Sequence, residues 1–408
     1  MQVPEGWEVK NIEDIADVFG GGTPDRSNND FWENGTVFWA TPTDITAISN
    51  SNYLKDTKEK ITEKGLSGSS AKLLPVGSIL LTSRATIGER KISKIPVCTN
   101  QGFTSLIPKS NNGIFLYYLL GKYISYMYSR AYGTTFPEIS RTEVKKIPIA
   151  LPKYKTEQEK IAKILSTLDK NIENTSKIIE KEKNIKKALM QELLTNGIDK
   201  NAKIRSPKTH SYKQSKLGLI PDEWEVKAFS KVASINMGQS PESEYVNENQ
   251  IGIPFLQGNA EFGAKYPIET YWTPQPKKLS NINDILISVR APVGDINISN
   301  KEYCIGRGLS SLTIKNIDSD FGYYALMQER YQLKRLAQGS TFLAIGKNDF
   351  DKLMIRIPMI KNEQKQIAKI LNTQDKKIES EQKNLSKLQE LKKGLMSDLL
   401  SGKVRVKV

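Results

Sequence analysis

Histidine and cysteine are almost missing from this chain, which has one His and two Cys in 408 residues. So few imidazoles and thiols exclude a Cys/His zinc cluster, a disulfide framework and a Cys–His nucleophile pair. Long apolar runs are missing as well. The longest are short pieces such as Ile79-Leu80-Leu81, far below the roughly 18 residues that cross a bilayer, and the opening MQVPEGWEVK has no signal-peptide core. The expectation is a cytoplasmic protein without membrane contact. A phosphate-binding G-x-x-x-x-G-K-[ST] loop is absent too: GSTFLAIGK at 339–347 has the wrong spacing and is followed by Asn348. Nor does any spaced carboxylate set with a lysine suggest a magnesium nuclease, because Asp222 and Glu225-Val226-Lys227 lie too close together.

What is present points elsewhere. Charged residues make up 26% and hydrophobic residues 38%, with 12 Phe, 16 Tyr and 5 Trp, enough for packed cores and unlike a disordered composition. At roughly 150 residues per domain the length calls for two or three domains. Lys and Arg number 60 against 45 Asp and Glu, a net charge of +15, which favours an anionic partner, nucleic acid before a membrane surface.

The chain is written twice. PEGWEVK at 4–10 returns as PDEWEVK at 221–227, and Thr23-Pro24 returns as Ser240-Pro241, at an offset of 217. A net deletion of eleven residues in the second copy, between about Asp44 and Gly77 of the first, brings the offset to 206, where it stays. ILLTSRATIGE (79–89) then matches ILISVRAPVGD (285–295), CTNQGFTSL (98–106) matches CIGRGLSSL (304–312), and AYGTTFPEIS (131–140) matches AQGSTFLAIG (337–346). The strongest match pairs EQEKIAKILSTLDKNIE (157–173) with EQKQIAKILNTQDKKIE (363–379). A repeat of about 200 residues is too long for a solenoid, so each copy is a domain with an appended element.

Within each copy the texture changes. Up to about Pro152 the sequence has short β-rich runs (77–82, 103–107, 147–151), frequent Gly, Pro, Asn and Ser, and helical patches such as 115–130. This predicts a mixed α+β domain. From Glu157 to Leu194 neither Gly nor Pro occurs, and Ile161, Leu165, Leu168, Ile172, Ile179, Leu189 and Leu193 follow a seven-residue repeat flanked by Ile164, Ile178 and Ile185. The second copy repeats the stripe with Ile367, Leu371, Ile378, Leu385, Leu388, Leu395 and Leu399, interrupted by Gly394. Two such helices in one chain are expected to zip into an antiparallel intramolecular coiled coil, giving a pseudo-two-fold object. Thr175 and Glu182 at stripe positions should weaken the seam and leave surface for a partner. The stretch 200–216 carries six Lys and Arg and no acid and reads as a mobile basic strap.

The tandem P-x-x-W-E-V-K openings, the ILLTSR and ILISVR runs, the G-T-T-F and G-S-T-F turns and the duplicated EQ-x-x-IAKIL-x-T-x-D helix starts resemble the specificity subunit of type I restriction-modification systems over essentially the whole chain. The resemblance implies a target-recognition domain over 1–153, a spacer helix over 154–199, a basic linker over 200–220, a second recognition domain over 221–358 and a second spacer helix over 359–402. It implies that the chain reads a bipartite, asymmetric double-stranded DNA target and catalyses nothing itself. Its partners would be two adenine methyltransferase subunits and, in systems that have them, restriction subunits for cleavage and ATP-driven translocation. S-adenosylmethionine, magnesium and ATP would then belong to those partners and no cofactor to this chain. A coiled-coil interaction scaffold that does not read DNA is the alternative.

Base readout needs paired donors and acceptors, with Arg suiting guanine and Asn or Gln adenine, while Lys, Ser and Thr hold phosphates. In the first domain the polar loops offer Thr41, Thr43, Arg84, Asn100, Gln101, Thr135, Arg141 and Lys145; in the second, Gln257, Asn259, Arg290, Arg307, Ser340, Thr341, Lys347 and Asn348. Arg84 and Arg290 recur in both copies and so fit a structural or phosphate role better than base reading. Asn100-Gln101 against Gly306-Arg307 differ, and fit specificity. Trp7, Trp224, Tyr117, Tyr118, Tyr323 and Tyr324 read as core, as do Cys98 and Cys304, and His210 as solvated.

Overall fold

The computed structural model describes residues 3–49, 51–133, 135–338 and 344–406. The chain folds as two units, one of Met1–Ile179 with Glu381–Val408 and the other of Glu180–Ser380. Each therefore takes a globular part from one copy of the repeat and helical segments from both.

Unit 1 holds a five-stranded sheet in the order Ala16–Gly20, Thr104–Pro108, Ile79–Leu81, Arg90–Ser93, Tyr53–Leu54, and a three-stranded sheet in the order Glu59–Ile61, Val37–Ala40, Cys98–Thr99. Unit 2 repeats the plan with a four-stranded sheet, Ala233–Met237, Leu309–Ile314, Ile285–Ser288, Ile296–Ile298, and a three-stranded one, Tyr271–Thr273, Ile253–Leu256, Cys304–Ile305. The extra strand of unit 1, Tyr53–Leu54, lies in the segment that the second copy shortens. The repeated W-E-V-K openings become edge strands: Trp7–Asn11 pairs antiparallel with Pro148–Pro152, and Trp224–Ala228 with Met354–Pro358. Trp7 and Trp224 are buried, as are Tyr117, Tyr118, Tyr323, Tyr324, Cys98 and Cys304. Burial pushes the Cys98 thiol up to about 12, an inert core thiol.

Two long helices, Lys155–Leu193 and Lys361–Ser401, follow the globular parts. Segments of the two run antiparallel within each unit. In unit 1 Asp169 pairs with Lys392 and, further back, Ile161 and Leu165 pack in one core with Leu399 and Leu400. In unit 2 Lys186 reaches Asp375 at 2.5 Å, and Met190, Leu193 and Leu194 pack with Ile367 and Leu371. Each Leu or Ile buried in this way contributes roughly 1.5–3 kcal/mol. The expectation of free surface at the polar stripe positions is corrected. Thr175 and Glu182 are buried rather than free, because Glu182 accepts from Lys377 at 2.7 Å and from Gln374 at 2.7 Å. The helix also passes through Gly394 without a break.

The duplicated EQ pair has a physical reason. Gln158 donates to Pro152 O at 3.1 Å and accepts from Asn112 N at 3.0 Å; Gln364 donates to Pro358 O at 2.7 Å and accepts from Asp318 N at 2.8 Å. One buried amide thus ties the last strand, the cap of an earlier helix (Gly113–Leu120 or Ser319–Glu329) and the long helix together, and satisfies polar groups that burial would otherwise penalise. The neighbouring carboxylates, Glu157 and Glu363, receive Arg405 and Arg205. Each arginine follows a long-helix end closed by a left-handed glycine, Gly402 at φ +72° and Gly197 at φ +66°.

Arg205 overturns the reading of 200–216 as a mobile strap. Its guanidinium bonds Glu363 at 2.5 Å and Glu223 at 2.8 Å, and Tyr212–Ser215 forms a hairpin with Gly218–Pro221. Burial opposes the Arg205 charge, but its hydrogen bonds to Glu363 and the charges of Glu363 and Glu223 carry it above its ordinary value. Among the described residues no helix is long and apolar enough to cross a membrane.

Candidate DNA interface

In unit 1 the strand Val37–Ala40 runs parallel to Cys98–Thr99, with Trp39 opposite Cys98 and Ala40 opposite Thr99. The segments Thr41-Pro42-Thr43 and Asn100-Gln101-Gly102 therefore leave the sheet side by side, held by Asn100 N donating to Ala40 O at 3.0 Å. Unit 2 repeats this with Phe255 opposite Cys304 and Leu256 opposite Ile305. There Gly306 N donates to Leu256 O at 2.8 Å, and Gln257-Gly258-Asn259 leaves beside Gly306-Arg307-Gly308.

A third segment braces each loop pair. Gly22 N donates to Thr99 O and Gln239 N to Ile305 O, both at 2.8 Å. The approach is so close that a Cβ on Gly21 would fall 1.8 Å from Asn100 O, and one on Gly238 2.2 Å from Gly306 O. Only glycine fits at either place. The Gly20-Gly21-Gly22 run ends the strand Ala16–Gly20 and leads into this brace. Thr23 and Ser240 then touch the loops: Thr23 Oγ1 donates to Gln101 Oε1, and Arg307 N donates to Ser240 Oγ at 3.3 Å. The repeated Thr-Pro and Ser-Pro steps mark these loop anchors in the sequence, although neither side chain belongs to the residue types that read bases in pairs.

Side chains differ where the backbones agree. In unit 1 Thr43, Arg84, Asn100 and Gln101 line a cavity of about 250 Å³ with Thr46 and Thr86. Asn100 Oδ1 accepts from Gly102 N at 2.9 Å. Gln101 is exposed, and among the described residues its Nε2 has no protein acceptor, so both N–H donors are free for a partner. In unit 2 Gln257 and Arg307 line a larger cavity of about 650 Å³ with Gln239, Ser240, Asn247 and Tyr271. The Arg307 guanidinium is exposed and has no acceptor among the described residues.

The other expected residues divide. Thr41 is occupied, its hydroxyl and N–H both donating to Asp44 Oδ2 at 2.7 Å to cap the helix Pro42–Thr46. Asn259 donates to Asp295 Oδ2 at 2.9 Å and is half-buried. Arg84 lies in the unit 1 cavity with a loose ion pair to Glu138 at 3.7 Å; Arg290 is exposed and its backbone forms an isolated antiparallel bridge with Ala344. Thr135 is exposed, Arg141 begins the helix Arg141–Lys145, and Lys145 ends it half-buried. Lys347 and Asn348 are exposed at the start of the 3-10 turn Lys347–Asp351. None of these joins the loop pair in the cavities except Arg84. Ser340 and Thr341 lie outside the described residues. Arg26, which was not expected at the site, is spent inside unit 1: it bonds Glu59 at 2.6 and 2.9 Å and covers the Trp32 ring at 3.8 Å.

Comparison with known proteins meets the same duplication. The family model of the type I restriction modification DNA specificity domain matches residues 4–183 and again 221–390. A type I restriction enzyme specificity subunit of Methanocaldococcus jannaschii, MjaX, is 36% identical over 100% of this chain and 95% of its own length. The EcoR124I/EcoR124II specificity subunit of Escherichia coli is 30% identical over 40% of this chain and 41% of its own. The crystal structure of a type I S subunit from M. genitalium superposes with TM-score 0.65 at 17% identity, covering 98% of both chains. A chain from a structure of type I restriction-modification complex assembly superposes with TM-score 0.60 at 23% identity over 99% of this chain and 100% of that one. Two family domains, each followed by a long helix that packs antiparallel on the other, thus place this chain in the family of type I restriction-modification specificity subunits, the non-catalytic, DNA-recognising components of those enzymes.

Proposed function

We propose that each unit reads one half of a bipartite, asymmetric double-stranded DNA target through its paired loops, and that the long helices set the gap between the halves. The observation that carries this is the contrast inside a common frame. The same parallel strands, glycine brace and Thr/Ser anchor hold Thr43, Asn100 and Gln101 in unit 1 but Gln257 and Arg307 in unit 2. Amide side chains favour adenine and arginine favours guanine, so the two half-sites differ. Arg84, Arg290, Thr135, Arg141, Lys145, Lys347 and Asn348, with Ser340 and Thr341, serve phosphates or loop shape rather than sequence. Thr41 and Asn259 act through the backbones they hold.

The chain also joins two adenine methyltransferase subunits and, where the system has them, restriction subunits; S-adenosylmethionine, magnesium and ATP act on those partners, in the cytoplasm. Co-expression with the cognate methyltransferase, followed by sequencing of N6-methyladenine, should return one split motif of two unlike halves around a fixed gap. An ordered complex that marks no motif would favour the scaffold reading. Whole turns inserted into both helices should lengthen the gap and leave the halves unchanged.

A further inference from the structure

The two recognition domains share a surface that reading DNA does not explain. In unit 1 the turn before strand Ile79–Leu81 exposes Leu73 and Val76; in unit 2 the turn before Ile285–Ser288 exposes Leu279 and Ile282. Val76 and Ile282 are 56% and 58% exposed. The turns have one geometry although their sequences, KLLPVGS and KLSNIND, have diverged. Gly77 and Asn283 adopt φ +90° and +69°. Gly77 N donates to Ser93 O at 2.9 Å and Asn283 N to Ser299 O at 2.7 Å, and both turns close with a bond across three residues, Ser78 N to Pro75 O and Asp284 N to Asn281 O.

Residues that face inward here, Leu74 and Ser280, are buried and already differ in polarity. The outward aliphatic pair is what both copies keep, at positions where a turn ordinarily prefers polar residues. Aliphatic side chains gain nothing from phosphates, and half-sites of unlike sequence give no reason for identical contacts. A partner that meets both halves in the same way does. Lys72 and Lys278 precede the pairs, so the complementary surface is apolar with an acidic rim.

We propose that Leu73 with Val76, and Leu279 with Ile282, are two equivalent docking points for the methyltransferase subunit, one copy on each recognition domain; this rests on the function proposed above. The test uses the full chain with its cognate methyltransferase subunit. The double variants L73S/V76S and L279S/I282S should each weaken uptake of one methyltransferase copy at least tenfold, and the fourfold variant should weaken both, seen as lost copies in native mass spectrometry at nanomolar concentration. Melting should fall little, since Val76 and Ile282 are more than half exposed and Leu73 and Leu279 are 49% and 37% exposed. If the fourfold variant melts much lower, V76T/I282V, which keeps β-branching at both positions and is nearly equal in shape at the first, decides by the same readout together with V76T/I282T. Unchanged affinity in those variants overturns the proposal. So does a wild-type chain that self-associates through this surface and becomes monomeric in the variants. A wild-type complex that takes up two methyltransferase copies but marks no split motif would sink the proposed function alone, leaving this surface supported if the variants still lose their copies.

Discussion

The glutamate that opens each long helix is held by an arginine from the other copy of the repeat, yet the two grips differ in depth. In unit 2 the side chains of Arg205 and Glu363 are 7% and 6% exposed, and Trp224 Nε1 and Ile198 N also donate to Glu363. In unit 1 Glu157 is 1% exposed but Arg405 is 40% exposed, and Trp7 Nε1 finds no partner among the described residues. The shared bond fixes where each copy's end meets the other's beginning; its surroundings have drifted. At the recognition loops the backbone bonds persist and the side chains differ. What the duplication keeps is assembly, and what it varies is solvent contact and readout.

The largest way to break this comparison is to remove the shared carboxylate. Glu363→Ala leaves the buried Arg205 with only the exposed Glu223, and should cost roughly 3–5 kcal/mol. Glu157→Ala should cost distinctly less, because Arg405 can turn to water. Denaturant midpoints of the two variants decide, and equal losses would mean that burial does not distinguish the grips. Next come the loops. Arg307→Ala should relax one half-site by about 1–3 kcal/mol at a single base pair and leave the other half unchanged, measured by competition binding of the assembled complex.

A third prediction concerns what the units share. Burial, then the hydrogen bonds and charges of Asp169 and Asp375, holds Tyr118 and Tyr324 well above their ordinary value of 10.0. Their contribution is complete below about pH 10 and is lost as pH rises further, because the unfolded chain ionises first. The alkaline limb of stability should flatten in Tyr118→Phe and in Tyr324→Phe alike. The smallest effect is at Gly394, exposed within the helix, where a Cβ meets nothing within 4 Å. Gly394→Ala should stabilise by about 1 kcal/mol, seen as a higher denaturant midpoint.

Much of this architecture was legible in the sequence because the chain repeats itself. The EQ pairs, the W-E-V-K strands and the heptads of Leu and Ile each satisfy a local rule twice, so they stand out against divergence elsewhere. Arg205 was illegible: six like charges over 200–216 suggest a solvated strap, and only the fold supplies Glu363 and Glu223 to bury one of them. Glu182 was misread for the same reason, since its partners Lys377 and Gln374 lie nearly 200 residues away in sequence. At the loops, composition found Asn100, Gln101, Gln257 and Arg307, which border the cavities. It could not separate them from Thr41, whose hydroxyl is used up in capping a helix, or find Asn247 and Tyr271, which lie outside the matched stretches of the repeat; Tyr271 stands where unit 1 has Glu59.

The central claim is that one frame carries two independent readers. Exchanging the unit 1 loop for its unit 2 counterpart, N100G/Q101R, in the full chain with its methyltransferase and mapping N6-methyladenine tests this most directly. The account predicts a split motif in which one half changes while the other half and the gap stay as in the wild type. A motif unchanged in both halves, or altered in both, would contradict it.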